Sequence, residues 1–278
     1  MNIEIYLAKQ AKKINKALDG TLPKESEWPQ VLHQAMRYSV FSGGKRVRPI
    51  FVLAACEAVG GNEKKALPAA CALELIHNYS LIHDDLPCMD DDDLRRGQKT
   101  CHKQFNEETA LLAGDALLTL AFKALSASDG VGNVKDLERQ ITAVGLIADA
   151  AGHRGMVGGQ MVDLESQGKE INLPTIEYIN THKTGALIAV STRVGAYLGG
   201  GTPRQVETLY RYGKYVGLLF QIVDDIMDRE GYASAVGVPE ARKEAESLLL
   251  KANHELKIFG AKGKVLSQIA DFVLNRRH

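Results

Sequence analysis

Ten residues constrain this chain more than any others: Asp84-Asp85-Leu86-Pro87-Cys88-Met89-Asp90-Asp91-Asp92-Asp93, followed at once by Leu94-Arg95-Arg96-Gly97. Six of the ten carry carboxylates. Carboxylates about 6 Å apart repel by roughly 1–3 kcal/mol per close pair at dielectrics between water and protein surface, so the fold has to bring a cation among them. The apolar helical positions Leu73, Ile76, Leu81 and Ile82 lead into the run, which argues against a floppy acidic tail. A second group, Asp224-Asp225-Ile226-Met227-Asp228, lies far downstream, and in a helix Asp224 and Asp228 share a face. Two such groups facing each other across a cavity make a hard-cation site of oxygen ligands. Mg²⁺ is the natural occupant, because it keeps several waters and is shared with substrate phosphates.

The remainder of the chain reads as helix. Apolar residues recur at helical spacing over residues 3–18, 31–40, 107–125, 134–163 with interruptions at Gly155 and Gly158-Gly159, 174–198 and 204–228. Gly43-Gly44, Gly60-Gly61 and Gly199-Gly200-Gly201-Thr202-Pro203 punctuate them, Pro49 and Pro68 are placed to open helices, and residues 126–133 read as a Ser/Asp/Gly loop. The 107–125 segment is apolar on most faces and is expected at the centre. Alternating strand patterns are absent. The expected fold is all-α, a single-domain helical bundle around a central cavity, with no linker or repeat.

Lys plus Arg equals Asp plus Glu at 34 each, which excludes the charge footprint of a nucleic-acid or anionic-membrane binder. No run approaches eighteen apolar residues, and the N-terminus has an early acid and no apolar core of a signal peptide. Cys56, Cys71, Cys88 and Cys101 lack metal-ligand spacing and are expected as reduced thiols in a cytoplasmic protein.

The run Asp84 to Gly97, together with Gly43-Gly44-Lys45-Arg46-Val47-Arg48-Pro49, His182-Lys183-Thr184 and Phe220-Gln221-Ile222-Val223-Asp224-Asp225, closely resembles the trans-isoprenyl diphosphate synthases, most nearly the bacterial farnesyl diphosphate synthases. The four motifs stand in the family's order and spacing between about residue 30 and residue 228. The resemblance implies head-to-tail condensation of isopentenyl diphosphate with an allylic diphosphate, with loss of pyrophosphate. It implies Mg²⁺ on Asp84, Asp90 and Asp224, with Asp85 and Asp225 beside them and Lys183 in the catalytic set. Arg95, Lys183, Thr184 and Gln221 match contacts to the allylic diphosphate; Lys45, Arg48, His77 and Arg96 match the isopentenyl site. A homodimer is implied in the same way. The resemblance likewise implies that the released pyrophosphate takes the final proton, and Gln160 and Asp163 are expected at the cavity lining without an assigned step. Tyr79, five residues before Asp84, and Ser80 beside it stand where chain length is set, and an aromatic there fits a fifteen-carbon product.

Alternatives stay open at this level. Geranylgeranyl diphosphate is the nearest alternative product. A terpene cyclase shares the metal chemistry but needs no isopentenyl site, against which Lys45, Arg48 and Arg96 stand. A non-catalytic subunit of a hetero-oligomeric synthase is kept in view by residues 229–278, where Asp228 runs straight into Arg229-Glu230-Gly231-Tyr232-Ala233. The family's mobile lid belongs here, and about twenty residues are missing by ordinary loop lengths. Either the natural protein lacks the lid or a mobile lid is omitted from this sequence; the mobility of such loops before ligand binds favours the second. Read alone, Asp90 to Asp93 fits a solvated loop, His77 a core histidine and Tyr79 core packing. Asp91 to Asp93 are expected to cap the following helix.

Overall fold

The computed structural model describes residues 2–126 and 132–276. The loop expected over 126–133 therefore falls largely outside the described residues. The chain forms helices α1 (Ile3–Thr21), α2 (Gln30–Phe41), α3 (Val47–Ala58), α4 (Glu63–Asp84), a two-strand hairpin β1 (Leu94–Arg95) and β2 (Gln98–Lys99), α5 (Cys101–Gln104), α6 (Glu107–Leu125), α7 (Val134–Ala151), α8 (Met156–Ser166) and α9 (Leu173–Ile179). A π-helical turn, Asn180–Gly185, leads into α10 (Ala186–Leu198) and α11 (Pro203–Asp228). Then come α12 (Gly231–Val236), α13 (Val238–Glu255), a 3₁₀ segment (Leu256–Gly263) and α14 (Lys264–Asn275). The architecture is the all-α bundle expected.

The middle of α4 is buried on every side: each residue from Ala69 to Ile76 is buried, and α3, α6 and α10 surround this stretch, while Lys64 in the first turn is exposed. The expectation that 107–125 would be central is corrected in part: α6 packs along α4 but leaves Leu111 and Leu112 half exposed. Pro68 does not open α4. Asn62 caps it by accepting from the Lys64 N–H, and Pro68 sits in the second turn, where it removes one backbone hydrogen bond. Similarly α3 begins at Val47, two residues ahead of Pro49. α11 is the longest helix, about 39 Å over its 26 residues. A capping box between Thr202 and Gln205 starts it, with Pro203 at its first position. Its midpoint Tyr212 is fully buried and donates to the Leu266 carbonyl at 2.7 Å, tying α11 to the C-terminal helix.

The hairpin is a feature that the sequence pattern hides. Its strands are two residues each, too short for alternation, and its turn holds Arg96 and Gly97 at φ 54° and 75°, the pair of left-handed residues that a tight right-twisted hairpin needs. The acidic run does not cap α5, whose N-cap is Thr100. Asp92 instead pairs with Arg95 at 3.1 Å, and Asp93 with Lys103 at 2.9 Å. After Asp228 only Arg229 and Glu230 intervene before α12 begins.

Candidate active site

α4 ends on Asp84 and delivers it to the rim of a cavity of about 380 Å³. Arg48 from α3, His77, Tyr79 and Ser80 from α4, Gln160 from α8, and Lys183 and Thr184 from the π-helical turn line the same cavity, with Met156, Val157, Met161 and Leu164 forming an apolar side. Polar groups therefore cluster around Asp84 while hydrocarbon surface lies beside Tyr79.

Burial, opposed by the positive charge of Lys183 and reinforced by Asp90, pushes the Asp84 carboxyl up to about 6. Its side chain accepts no hydrogen bond within the described residues. Lys183 donates to Asp163 at 2.6 Å, which fixes the ammonium from α8. The π-helical turn that carries Lys183 and Thr184 lies hard against α8. A Cβ at Gly159 would stand 2.2 Å from the Lys183 backbone nitrogen, so Gly158-Gly159 is a contact motif and does not interrupt the helix. Wide turns of this kind recur at functional sites.

The other cations lie around the cavity and not in it. Arg95 is tied to Asp85 through Nε at 2.6 Å and to Asp92 at 3.1 Å. Arg96 donates to the Gly43 carbonyl at 2.8 Å, and its guanidinium lies where a Cβ on Gly44 would be, 2.6 Å away. Gly44 also has φ 111°, so both space and backbone require glycine there. Arg46, at φ 51°, is turned inward onto Glu74 at 2.7 Å, the Val40 carbonyl and Asn15, and braces the loop that presents Lys45 and Arg48. Burial, with Arg48 and Arg96 nearby, holds the His77 imidazole well below its usual range, so it is a neutral N–H donor and not a third cation. Lys45 is exposed and lines a separate cavity of about 310 Å³.

The second acidic group divides into two roles. Asp224 pairs with Arg276 at 2.6 Å, and the Arg276 guanidinium lies 3.7 Å over the Phe220 ring. Asp225 is buried and accepts from Asn180 at 3.2 Å, Gln221 at 2.9 Å and the Tyr232 N–H at 2.8 Å. It thus ties α11 to the π-helical turn and to α12, and Gln221 is turned onto it. Asp228 is exposed. Among the described residues no group of three acidic, histidine or cysteine side chains converges on one point. That arrangement suits Mg²⁺, which needs only one or two carboxylates when substrate phosphates complete its shell. Asp84 offers a partly buried carboxylate that accepts no hydrogen bond among the described residues, and the Arg276 guanidinium stands against Asp224 as a cation.

The Polyprenyl synthetase family pattern matches residues 29–242. The chain belongs to the polyprenyl synthetase family. This polyprenyl synthetase is 43% identical over 296 residues to the heterodimeric geranylgeranyl pyrophosphate synthase large subunit 1, chloroplastic, of Arabidopsis thaliana, covering 98% of this chain and 79% of the relative. Against the chloroplastic geranylgeranyl pyrophosphate synthase of Capsicum annuum it is 43% identical, covering 99% and 79%. Among solved structures it is similar to an FPP/GFPP synthase from Zymomonas mobilis, with a TM-score of 0.92 at 38% identity over 98% of this chain and 99% of that one. The Arabidopsis match spans 296 residues against the 278 here, so that relative carries residues this chain lacks.

Three residues of this polyprenyl synthetase's site escaped sequence reasoning. Arg276 lies far from any motif and reaches Asp224 only through the packing of α14. Asp163 was read as lining and is the partner of Lys183. Glu74, one turn before Asn78 on α4, reads as a stray charge in an apolar helix, and that anomaly is the signal that Arg46 needed a buried partner.

Proposed function

We propose that this chain is a Mg²⁺-dependent prenyl diphosphate synthase of one domain over residues 1–278, condensing isopentenyl diphosphate with dimethylallyl or geranyl diphosphate to give farnesyl diphosphate. The observation that carries this reading is the single cavity in which Asp84, Arg48, Lys183 and Thr184 stand over an apolar wall closed by Tyr79. Asp84, Asp90 and Asp224 are the residues to hold the metal, which when bound neutralises the departing pyrophosphate as a Lewis acid. Lys183 and Thr184 orient the allylic diphosphate; Asp163 keeps Lys183 from swinging onto Asp84. Arg48, Lys45 and Arg96 grip the isopentenyl diphosphate as cations and neutral His77 donates to it, so that this second diphosphate is held by side chains and its double bond stays free to attack. Arg95, bound to Asp85, positions the acidic run, and Asp225 with Gln221 positions the π-helical turn. The site lies within a protein whose described helices include none long and apolar enough to cross a membrane. Its four cysteines are free thiols, which favours a reducing compartment such as the cytoplasm, and a homodimer is the assembly proposed.

A second reading, geranylgeranyl diphosphate as product, is favoured by the names of the Arabidopsis and Capsicum relatives. Incubation with Mg²⁺, labelled isopentenyl diphosphate and each of dimethylallyl, geranyl and farnesyl diphosphate decides between them. Fifteen-carbon prenol after dephosphorylation, with no extension of added farnesyl diphosphate, supports the first reading; twenty-carbon prenol supports the second. Absence of any condensation, beside diphosphate binding, returns the chain to the non-catalytic subunit class. An intact mass above that of these 278 residues accompanies the assay as the check on an omitted lid.

The raised Asp84 carboxyl gives a pH dependence with a definite sign. In the metal-free protein the proton leaves Asp84 near pH 6, and a metal binding there has to displace it below that pH. Apparent Mg²⁺ affinity is expected to be flat above about pH 7. It should fall by about tenfold per pH unit below 6, a one-proton slope measured by titration calorimetry in buffers of different ionisation enthalpy.

A further inference from the structure

A space of about 660 Å³, separate from the cavity around Asp84, opens between α7, the π-helical turn, α10, α11 and α13. The two cavities share the turn and divide its residues: Lys183 and Thr184 line the first, Thr181, His182 and Gly185 the second.

The charge of this second cavity is unbalanced. Arg154, Arg193 and Lys214 line it, and none has an ion-pair partner within the described residues. The fourth cation, Lys251, is paired with Glu244 at 3.5 Å, which leaves Asp149 as the only lining carboxylate without an ion pair among the described residues. Arg193 and Lys214 both approach the ring of Tyr210, the guanidinium at 4.6 Å and the ammonium at 5.8 Å. Two cations on one ring repel each other, and the ring satisfies neither set of N–H donors. Arg193 Nε is also buried without a hydrogen-bond acceptor. A buried donor of a charged group left unmade is costly, and such groups normally find an anion or a fixed water. Leu146, Val190, Leu218 and Leu248 give the wall an apolar part, beside the polar groups of Thr181, Tyr210 and Asp149.

We propose that this cavity is a second anion site, built for a phosphoryl group carried on an apolar body, and that its occupancy acts on catalysis through the π-helical turn. Arg154, Arg193 and Lys214 supply the oxyanion contacts, with Arg193 offering Nε and its fork together. The apolar wall takes the attached body. Pulling His182 toward a bound anion moves the backbone on which Lys183 and Thr184 are mounted. His182 is stacked 3.9 Å from Tyr178 and contacts its carbonyl at 2.8 Å, so that movement has a defined starting state. The site stands on this geometry and does not depend on which product the enzyme makes.

Two probes test it, both without Mg²⁺ and without isopentenyl diphosphate, so that a chain that catalyses nothing still gives an answer. Crystals soaked in tungstate are expected to show anomalous density between Arg154, Arg193 and Lys214. Calorimetric titration with inorganic pyrophosphate, and separately with a non-hydrolysable thiolo analogue of geranyl diphosphate, is expected to resolve a class of site that weakens at least about tenfold in Arg193→Met and in the exposed Lys214→Ala, while binding at the Arg48 cavity is unchanged. Saturation by pyrophosphate alone identifies a free anion as the ligand; saturation only by the thiolo analogue identifies the head group of a prenyl chain. Under assay conditions the same variants should keep kcat/KM and lose the non-competitive part of inhibition by that ligand. No tungstate density at these residues, or titrations that neither variant changes, overturns the proposal.

Discussion

Asp84→Ala is expected to lower kcat by about a thousandfold or more and to leave the protein as stable as the parent or slightly more so. The size follows from the chemistry: one group aimed at developing charge in a water-excluded site is worth about a hundred- to a thousandfold, and removing a metal ligand also weakens the hold on the Lewis acid itself. The stability half follows from the structure. Asp84 is a partly buried carboxylate whose side chain accepts no hydrogen bond among the described residues, and burial raises its carboxyl to about 6 against the opposing charges of Lys183 and Arg95, so above that pH the folded protein bears a partly desolvated charge that they offset only in part. By linkage the native state binds a proton more tightly than the unfolded chain there, and stability falls as pH rises from the unfolded value toward 6. Alanine removes that loss. Asp225→Ala is the contrast. Its carboxylate holds Asn180, Gln221 and the Tyr232 N–H, and losing it leaves three donors unmet at a cost of about 1–3 kcal/mol or more. Activity and Tm should therefore fall together in Asp225→Ala and part company in Asp84→Ala. Melting curves at pH 5 and pH 8 beside single-turnover rates measure both; retained turnover in Asp84→Ala would sink the metal assignment.

That contrast marks how far the sequence could be read. The two adjacent aspartates of the downstream motif look alike in the chain, and only the packing of α11 against the π-helical turn decides that one faces Arg276 and the other is sealed inward. Helix existence was legible, because apolar periodicity survives wherever one face is buried. Helix ends were less so: Pro68 and Pro49 read as openers, yet Asn62 and the Arg46 turn do that work a few residues earlier. The hairpin at residues 94–99 was invisible, since two-residue strands have no period, although Arg96-Gly97 carries the turn chemistry. The motif residues Arg48, His77, Lys183 and Thr184 line one cavity with Asp84, whereas the cavity lined by Arg193 and Lys214 has no linear signature. Its three unpaired cations come from the loop before α8, from α10 and from α11, and none stands in a linear motif.

Tyr79→Ala is expected to lengthen the product. In α4 Tyr79 precedes Asp84 by five residues, about 7.5 Å along the axis, so its ring lies one and a half turns below the carboxylate. The ring is 7% exposed, lines the cavity beside Met156 and Met161, and stands edge-on to His83 at 5.7 Å. It is therefore buried and in contact with a second ring of the cavity wall, and a growing chain cannot push it aside cheaply. Ser80 gives no comparable barrier, because its hydroxyl is turned back onto the His77 carbonyl at 2.9 Å. Removing the ring opens the wall toward the centre of the bundle, and the shift should be at least one isoprene unit, from fifteen carbons to twenty or more. The deletion also takes out buried aromatic surface, at a cost of about 3 kcal/mol, so Tyr79→Met serves as the milder variant with intermediate lengths. Chromatography of the dephosphorylated prenols reads the result directly. If the parent already makes twenty carbons and Tyr79→Ala leaves that unchanged, the chain passes the ring on another side. The limit then lies along the α8 wall at Met156, Val157 and Leu164, and substitutions there would set product length.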